Sequence, residues 1–168
     1  MRNPASAPAR KEIPEEMRWD LGRLYPDTDA WEADFRMLDI ELESLMAFKG
    51  RLGRSAEDLS AAMRCGDRLE RLLEKLGAHA HHLSDEDTGD GANLARKKRV
   101  EAKHAEIDGA TAWFEPELLA IPEQRMREYL DSPELSFYKR TIEEILRQKP
   151  HILSEPEERL LGLAEELF

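Results

Sequence analysis

Two apolar stripes constrain this chain more than any other feature. Trp31, Phe35, Leu38, Leu42 and Leu45 recur at alternating steps of four and three, and Leu59, Ala62, Gly66, Leu69, Leu73, Leu76, Ala80 and Leu83 do the same over a longer stretch. That period places all members of a stripe on one face of a helix. No segment alternates apolar and polar residues with period two, so nothing reads as a half-buried strand. The expected fold is all-α, an antiparallel bundle of long helices followed by shorter ones.

The ends of these helices are marked by capping chemistry. Asp27 or Thr28 precedes the first stripe and can accept from its unpaired amides, and Lys49-Gly50 and Gly53 follow its end. Ser55 stands before Ala56-Glu57-Asp58, which puts a cap and two acids at the start of the second helix. Ala62 and Gly66 are expected to admit a close neighbouring helix, and Gly66 and Gly77 each cost about 1 kcal/mol relative to alanine in a helix interior. Residues 84–91 (SDEDTGDG) read as a loop. A third helix is expected from about Ala92 to Trp113, with Val100, Ile107, Thr111 and Phe114 in its thinner stripe together with His104. Pro116 and Pro122 then cut the chain into short pieces. Further helices are expected near Pro122–Leu130, Pro133–Gln148 and Ser154–Phe168. Residues 1–18 carry Pro4, Pro8 and Pro14 and read as a flexible lead-in, leaving 19–168 as one helical domain.

Charge and cysteine usage narrow the function classes. Of 168 residues, 36 are acidic and 25 basic, a net charge of −11. An acidic chain is a poor nucleic-acid binder, because phosphate contacts need a basic surface. One cysteine, Cys65, excludes an internal disulfide framework. No apolar run approaches the ~18 residues of a membrane span, and no apolar core of a signal peptide follows Met1. No membrane partner and a cytoplasmic setting are expected.

Four clusters invite a chemical reading. His79, His81 and His82 are close in sequence, but neighbours on a helix point about 100° apart, so only His79 and His82 share a face. The helical zinc signature, His-Glu-x-x-His, is absent. Packed or solvated histidines are the expected outcome. The acidic run from Asp85 fits a calcium loop at Asp87 but places Gly89, Asp90 and Arg96 where ligands or the turn glycine belong. Cys65 reads as a small filler in a helix, since a nucleophile also needs a nearby base. Arg96-Lys97-Lys98-Arg99 reads as a solvated face pairing locally with acids such as Glu101. No catalytic, cofactor-binding or metal-binding residue is assigned.

Five segments go further when taken in order. Trp19-Asp20-Leu21, with Leu24-Tyr25-Pro26-Asp27 and Trp31, resembles the entry to oligoendopeptidase F, a family of zinc metallopeptidases related to thimet oligopeptidase. The segments at 47–53 (AFKGRLG), 84–88 (SDEDT), 114–118 (FEPEL) and 147–154 (RQKPHILS), the last with Tyr138 before it and Glu157-Glu158 after it, continue the resemblance in register. The resemblance implies a non-catalytic N-terminal helical domain forming part of a substrate-channel wall, in a parent that hydrolyses oligopeptides. It implies a zinc site only in a catalytic domain downstream, so no cofactor is expected in this chain. His79, His81 and His82 fall on positions that are not family zinc ligands, and His151 on a structural Pro-His pair. The apolar, uncapped end at Leu160, Leu163, Leu167 and Phe168 reads as a truncation. Its uncovered surface, together with Ile152, would favour the chain's own catalytic domain or a second copy as partner. The alternative function is a stand-alone helical protein-interaction module without peptidase activity.

Overall fold

The computed structural model describes residues 13, 14, 17 and 19–148. The expected helix at 154–168 and the apolar end at Leu160–Phe168 lie outside the described residues, as do His151 and most of the lead-in.

Helix α1 spans Thr28–Met46, and Asp27 rather than Thr28 caps it, its Oδ1 accepting from the Ala30 amide at 2.8 Å. Helix α2 spans Ala56–Glu86, with Ser55 Oγ accepting from the Asp58 amide at 3.1 Å. It runs three residues past Leu83, so Ser84, Asp85 and Glu86 are helical and not part of the expected loop. Ser84 is buried, one helical turn beyond buried Ala80 on the inward face. The turn proper is Asp87–Asp90. The Gly89 amide donates to Asp87 Oδ1 at 3.0 Å, and Asp90 Oδ1 accepts from Ala92 and Asn93 at the start of α3, Gly91–Thr111.

Beyond α3 come α4 (Phe114–Leu119), α5 (Glu123–Leu130) and α6 (Lys139–Gln148). Pro116 lies inside α4, where the first-turn amides have no intrahelical acceptor, so its missing N–H removes no bond. The single helix expected over Pro133–Gln148 is instead a 3-10 turn, Pro133–Leu135, followed by α6. The tighter turn eclipses residues three apart. Leu135 and Tyr138 are thereby both buried, while Phe137 between them is 80% exposed.

The chain divides into two compact units. One combines the described residues up to Phe48 with Arg64–Ala112; the other combines Lys49–Met63 with the described residues from Trp113 onward. Helix α2 contributes its first turns to the second unit and the remainder to the first.

In the first unit the cross-helix partners reveal the direction of each helix. Going up α1, Trp31, Asp34 and Glu41 meet Leu76, Lys75 and Arg68, so α2 runs antiparallel. Thr28, Glu32 and Asp39 meet Arg96, Arg99 and Lys103, so α3 runs parallel to α1. The interior is built from the two stripes, with Trp31, Leu38, Leu45, Leu69, Leu73, Leu76 and Ala80 buried alongside Val100 and Ile107. A Cβ on Gly77 would meet Val100 Cγ1 at 3.7 Å, whereas one on Gly66 would meet nothing within 4 Å. The close helix approach expected at Gly66 is therefore absent, whereas α3 comes into van der Waals range of α2 at Gly77. His104, expected in the α3 stripe, is exposed and faces Asp108 at 3.7 Å.

In the second unit the core is Leu52, Ala56, Leu59 and Ala62 with Leu118, Leu119, Ile121, Met126, Tyr129, Leu135, Tyr138 and Ile142. Ser60 is also fully buried, and its Oγ donates to the Glu134 carbonyl at 2.7 Å.

Candidate functional site

The histidines separate by face. His79 is buried, and its ring meets Tyr25 edge-on with centroids 5.2 Å apart. Its Nδ1 is buried without a hydrogen-bond partner. Burial, then the positive charges of Arg96 and Lys75, hold His79 below the usual imidazole value. His82, one turn on, meets Trp19 edge-on at 4.4 Å, while His81 points away to Glu101 at 3.7 Å. Two of the three thus pack against the segment that leads into α1. Among the described residues no group of three or more His, Cys, Asp and Glu side chains lies close enough to hold a metal ion.

Around Tyr25 is a compact polar network. Its hydroxyl donates to Asp34 Oδ2 at 2.8 Å, and Lys75 Nζ reaches the same oxygen at 3.1 Å while lying 4.0 Å from the Tyr25 ring centroid. Burial and the neighbouring Asp34 carboxylate push the phenol upward, so it stays protonated and remains a donor.

The other clusters have structural partners. Asp87 and Asp90 are used by the turn and the α3 cap, and Asp85 faces Lys97 at 4.0 Å. Cys65 is buried beside Arg68, whose Nη2 lies 3.1 Å from Sγ while its Nε pairs with Glu41. Instead of the expected local pairing with acids such as Glu101, Arg96, Arg99 and Lys97 of the basic run reach Thr28, Glu32 and Asp85 on other helices. Arg99 grips Glu32 with both terminal nitrogens at 2.6 and 3.0 Å and lies over the Phe35 ring at 4.6 Å. Arg96 donates to Thr28 and lies 5.4 Å from the Trp31 centroid. The run is a seam to α1, with Trp31 and Phe35 stacked beneath it at 5.1 Å.

A latch in the second unit has no counterpart in the sequence reading. Glu117 in α4 accepts from the Gly50 amide at 2.7 Å and, through its other oxygen, from the Leu52 amide at 2.8 Å. Gly50 has φ +77°, and that left-handed turn aims the two amides at one carboxylate. The Gly53 carbonyl accepts from Tyr129 Oη at 2.9 Å and Arg125 at 3.0 Å. Arg51 pairs with Asp58 at 3.0 Å. The segments 47–53 and 114–118, recognised separately in the sequence, are thus partners. The available signal was a glycine-rich loop with amides in need of acceptors and a helix-borne acid some 65 residues later in the chain.

The family described as Oligopeptidase F matches residues 117–168. Oligopeptidase PepF of Bacillus subtilis is 34% identical over 162 residues, covering 96% of this chain and 24% of the relative. Group B oligopeptidase PepB of Streptococcus agalactiae is 31% identical over 95% of this chain and 27% of its own length. Among solved structures, a Chlamydophila abortus protein superposes with a TM-score of 0.79 at 29% identity, covering 92% of this chain and 26% of the other. Oligoendopeptidase-F of Enterococcus faecium gives 0.67 at 29% identity, covering 81% and 26%. The chain spans about a quarter of the length of the relatives it matches. By sequence and by fold, the chain is similar to the oligoendopeptidase F peptidases and matches their N-terminal region.

Proposed function

We propose that the chain is the non-catalytic helical portion of an oligoendopeptidase F-like metallopeptidase and forms part of the wall of its substrate channel. The observation carrying this reading is the coverage: nearly all of this chain aligns with only about a quarter of each relative. The described residues also offer no cluster of metal ligands. In this reading, zinc and the peptide-cleaving groups belong to the part of the parent that the chain does not span. Oligopeptides and that catalytic portion are its partners. No described helix is long and apolar enough to cross a membrane, and the single cysteine and acidic balance favour the cytoplasm.

The purified chain is expected to leave a quenched fluorescent oligopeptide intact and to retain no stoichiometric zinc after dialysis. Turnover, or one zinc per chain, overturns the non-catalytic assignment. A chimera of the Bacillus subtilis oligopeptidase carrying this chain in place of its matching quarter is expected to cleave the peptide. A chimera that folds and binds zinc but stays inactive speaks for a stand-alone interaction module instead.

A further inference from the structure

We propose that His79 is the trigger of an acid-sensitive joint that releases the segment Trp19–Tyr25 from α2. The joint lies within the first unit and is independent of the peptidase reading. It consists of one aromatic ring shared by two side chains of α2: Lys75 lies over the Tyr25 ring at 4.0 Å, and His79, one helical turn on, meets the same ring edge-on at 5.2 Å.

The charges around His79 are unfavourable to a second cation. On α2 it has Lys75 four residues before it, and from α3 it has Arg96, both acting to keep it neutral. Like charges four apart on a helix repel. From the α1 side it faces Tyr25, whose hydroxyl already donates to Asp34, and Asp34 Oδ2 is also taken by Lys75. The nearby carboxylate is therefore engaged. Neutral imidazole can leave a lone pair on a buried Nδ1, but imidazolium carries an N–H there that requires an acceptor. Nδ1 is buried with none. His82, on the same face, meets Trp19 of the same segment. The segment thus meets α2 through the rings of Tyr25 and Trp19. Its Tyr25 hydroxyl bonds to Asp34, and its backbone hydrogen bonds are local: Leu24 and Tyr25 both donate to the Leu21 carbonyl, at 3.0 and 3.1 Å.

The sign follows from linkage. A histidine whose folded value lies below its ordinary 6.5 binds fewer protons folded than released, so the joint holds fully above that value and loosens as pH falls below it. At about pH 5.5, one unit below the ordinary value, the largest loosening from one such group is about tenfold.

The test is amide hydrogen exchange at about pH 7.5 and 5.5, corrected for intrinsic rates, on the full chain. Protection of Leu24 and Tyr25 is expected to fall by up to about tenfold at the lower pH, with Leu38 and Ile107 changing much less. In His79→Gln this difference is expected to vanish. In Lys75→Met, which leaves His79 in place but removes one repelling charge, it shrinks. A direct NMR titration of the His79 ring does not depend on either variant folding, and its midpoint is expected below the ordinary imidazole value of 6.5. A midpoint at or above that value, pH-independent protection in the natural chain, or unchanged pH dependence in a folded His79→Gln each overturn the proposal.

Discussion

The two units of this chain solve the same problem by different means. The first is made of long helices whose backbone groups are satisfied within each helix, so its interior can be left to side-chain packing between periodic stripes. The second contains helices of 6, 8 and 10 residues. Such pieces are unstable alone, because the cost of nucleation is spread over few bonds. Loop amides and carbonyls between them need partners from elsewhere in the chain. Glu117, Arg125, Tyr129 and Ser60 supply them, each bonding to backbone 65 to 76 residues away. Packing dominates one unit, and long-range side chain-to-backbone bonds organise the other.

The most severe way to break this contrast is to open the interior of the first unit. Trp31 is fully buried, stacks on Phe35 and donates from Nε1 toward the Leu76 carbonyl at 3.4 Å. Trp31→Ala is expected to cost about 3–5 kcal/mol, through lost burial and the cavity left behind. Urea unfolding followed by circular dichroism should show it, and a loss below 1 kcal/mol would mean that the stripe does not dominate. Next is the latch. Glu117→Ala leaves the Gly50 and Leu52 amides without their acceptor and is expected to cost about 2 kcal/mol. Exchange of those two amides should accelerate while that of Leu38 in the first unit stays unchanged. Tyr129→Phe removes one bond to the Gly53 carbonyl, which keeps Arg125, and is expected to cost about 1 kcal/mol by the same urea melt.

This ordering also explains what could be read from the sequence. The stripes of α1 and α2 were legible because burial there repeats with the helical period, and nearly every stripe position is buried or half-buried. The boundary at Ser84 was misplaced because acidic, loop-like composition hid a buried serine. The break at Pro133–Tyr138 was invisible because a 3-10 turn and an α-helix differ by which of two carbonyls an amide chooses, a matter decided by packing of Leu135 and Tyr138. The sequence around the basic run suggests local pairing, yet Arg96 and Arg99 bond to residues 68 and 67 positions away. Such partners depend on how helices align. For the candidate site, the chemical type of each histidine was evident, but not that His79 and His82 would meet Tyr25 and Trp19. The resemblance marked both halves of the latch without showing that they touch.

The smallest effects come from one methyl group placed in each unit, and there the contrast appears as a difference in sign. Gly50 sits at φ +77°, with open space where a Cβ would go. The space is irrelevant to the outcome, because an L side chain in the left-handed region is strained by its own backbone, at roughly 1 kcal/mol. Gly50→Ala should therefore destabilise the second unit and loosen the amides that hold Glu117. Gly66 also has open space, but it lies inside α2, where alanine is preferred to glycine by about 1 kcal/mol. Gly66→Ala should stabilise the first unit by up to that amount, raising its urea midpoint with an unchanged slope. If Gly66→Ala destabilised the chain, a neighbour would have to approach α2 there after all. If both substitutions had the same sign, backbone conformation would not be what distinguishes the turn from the helix.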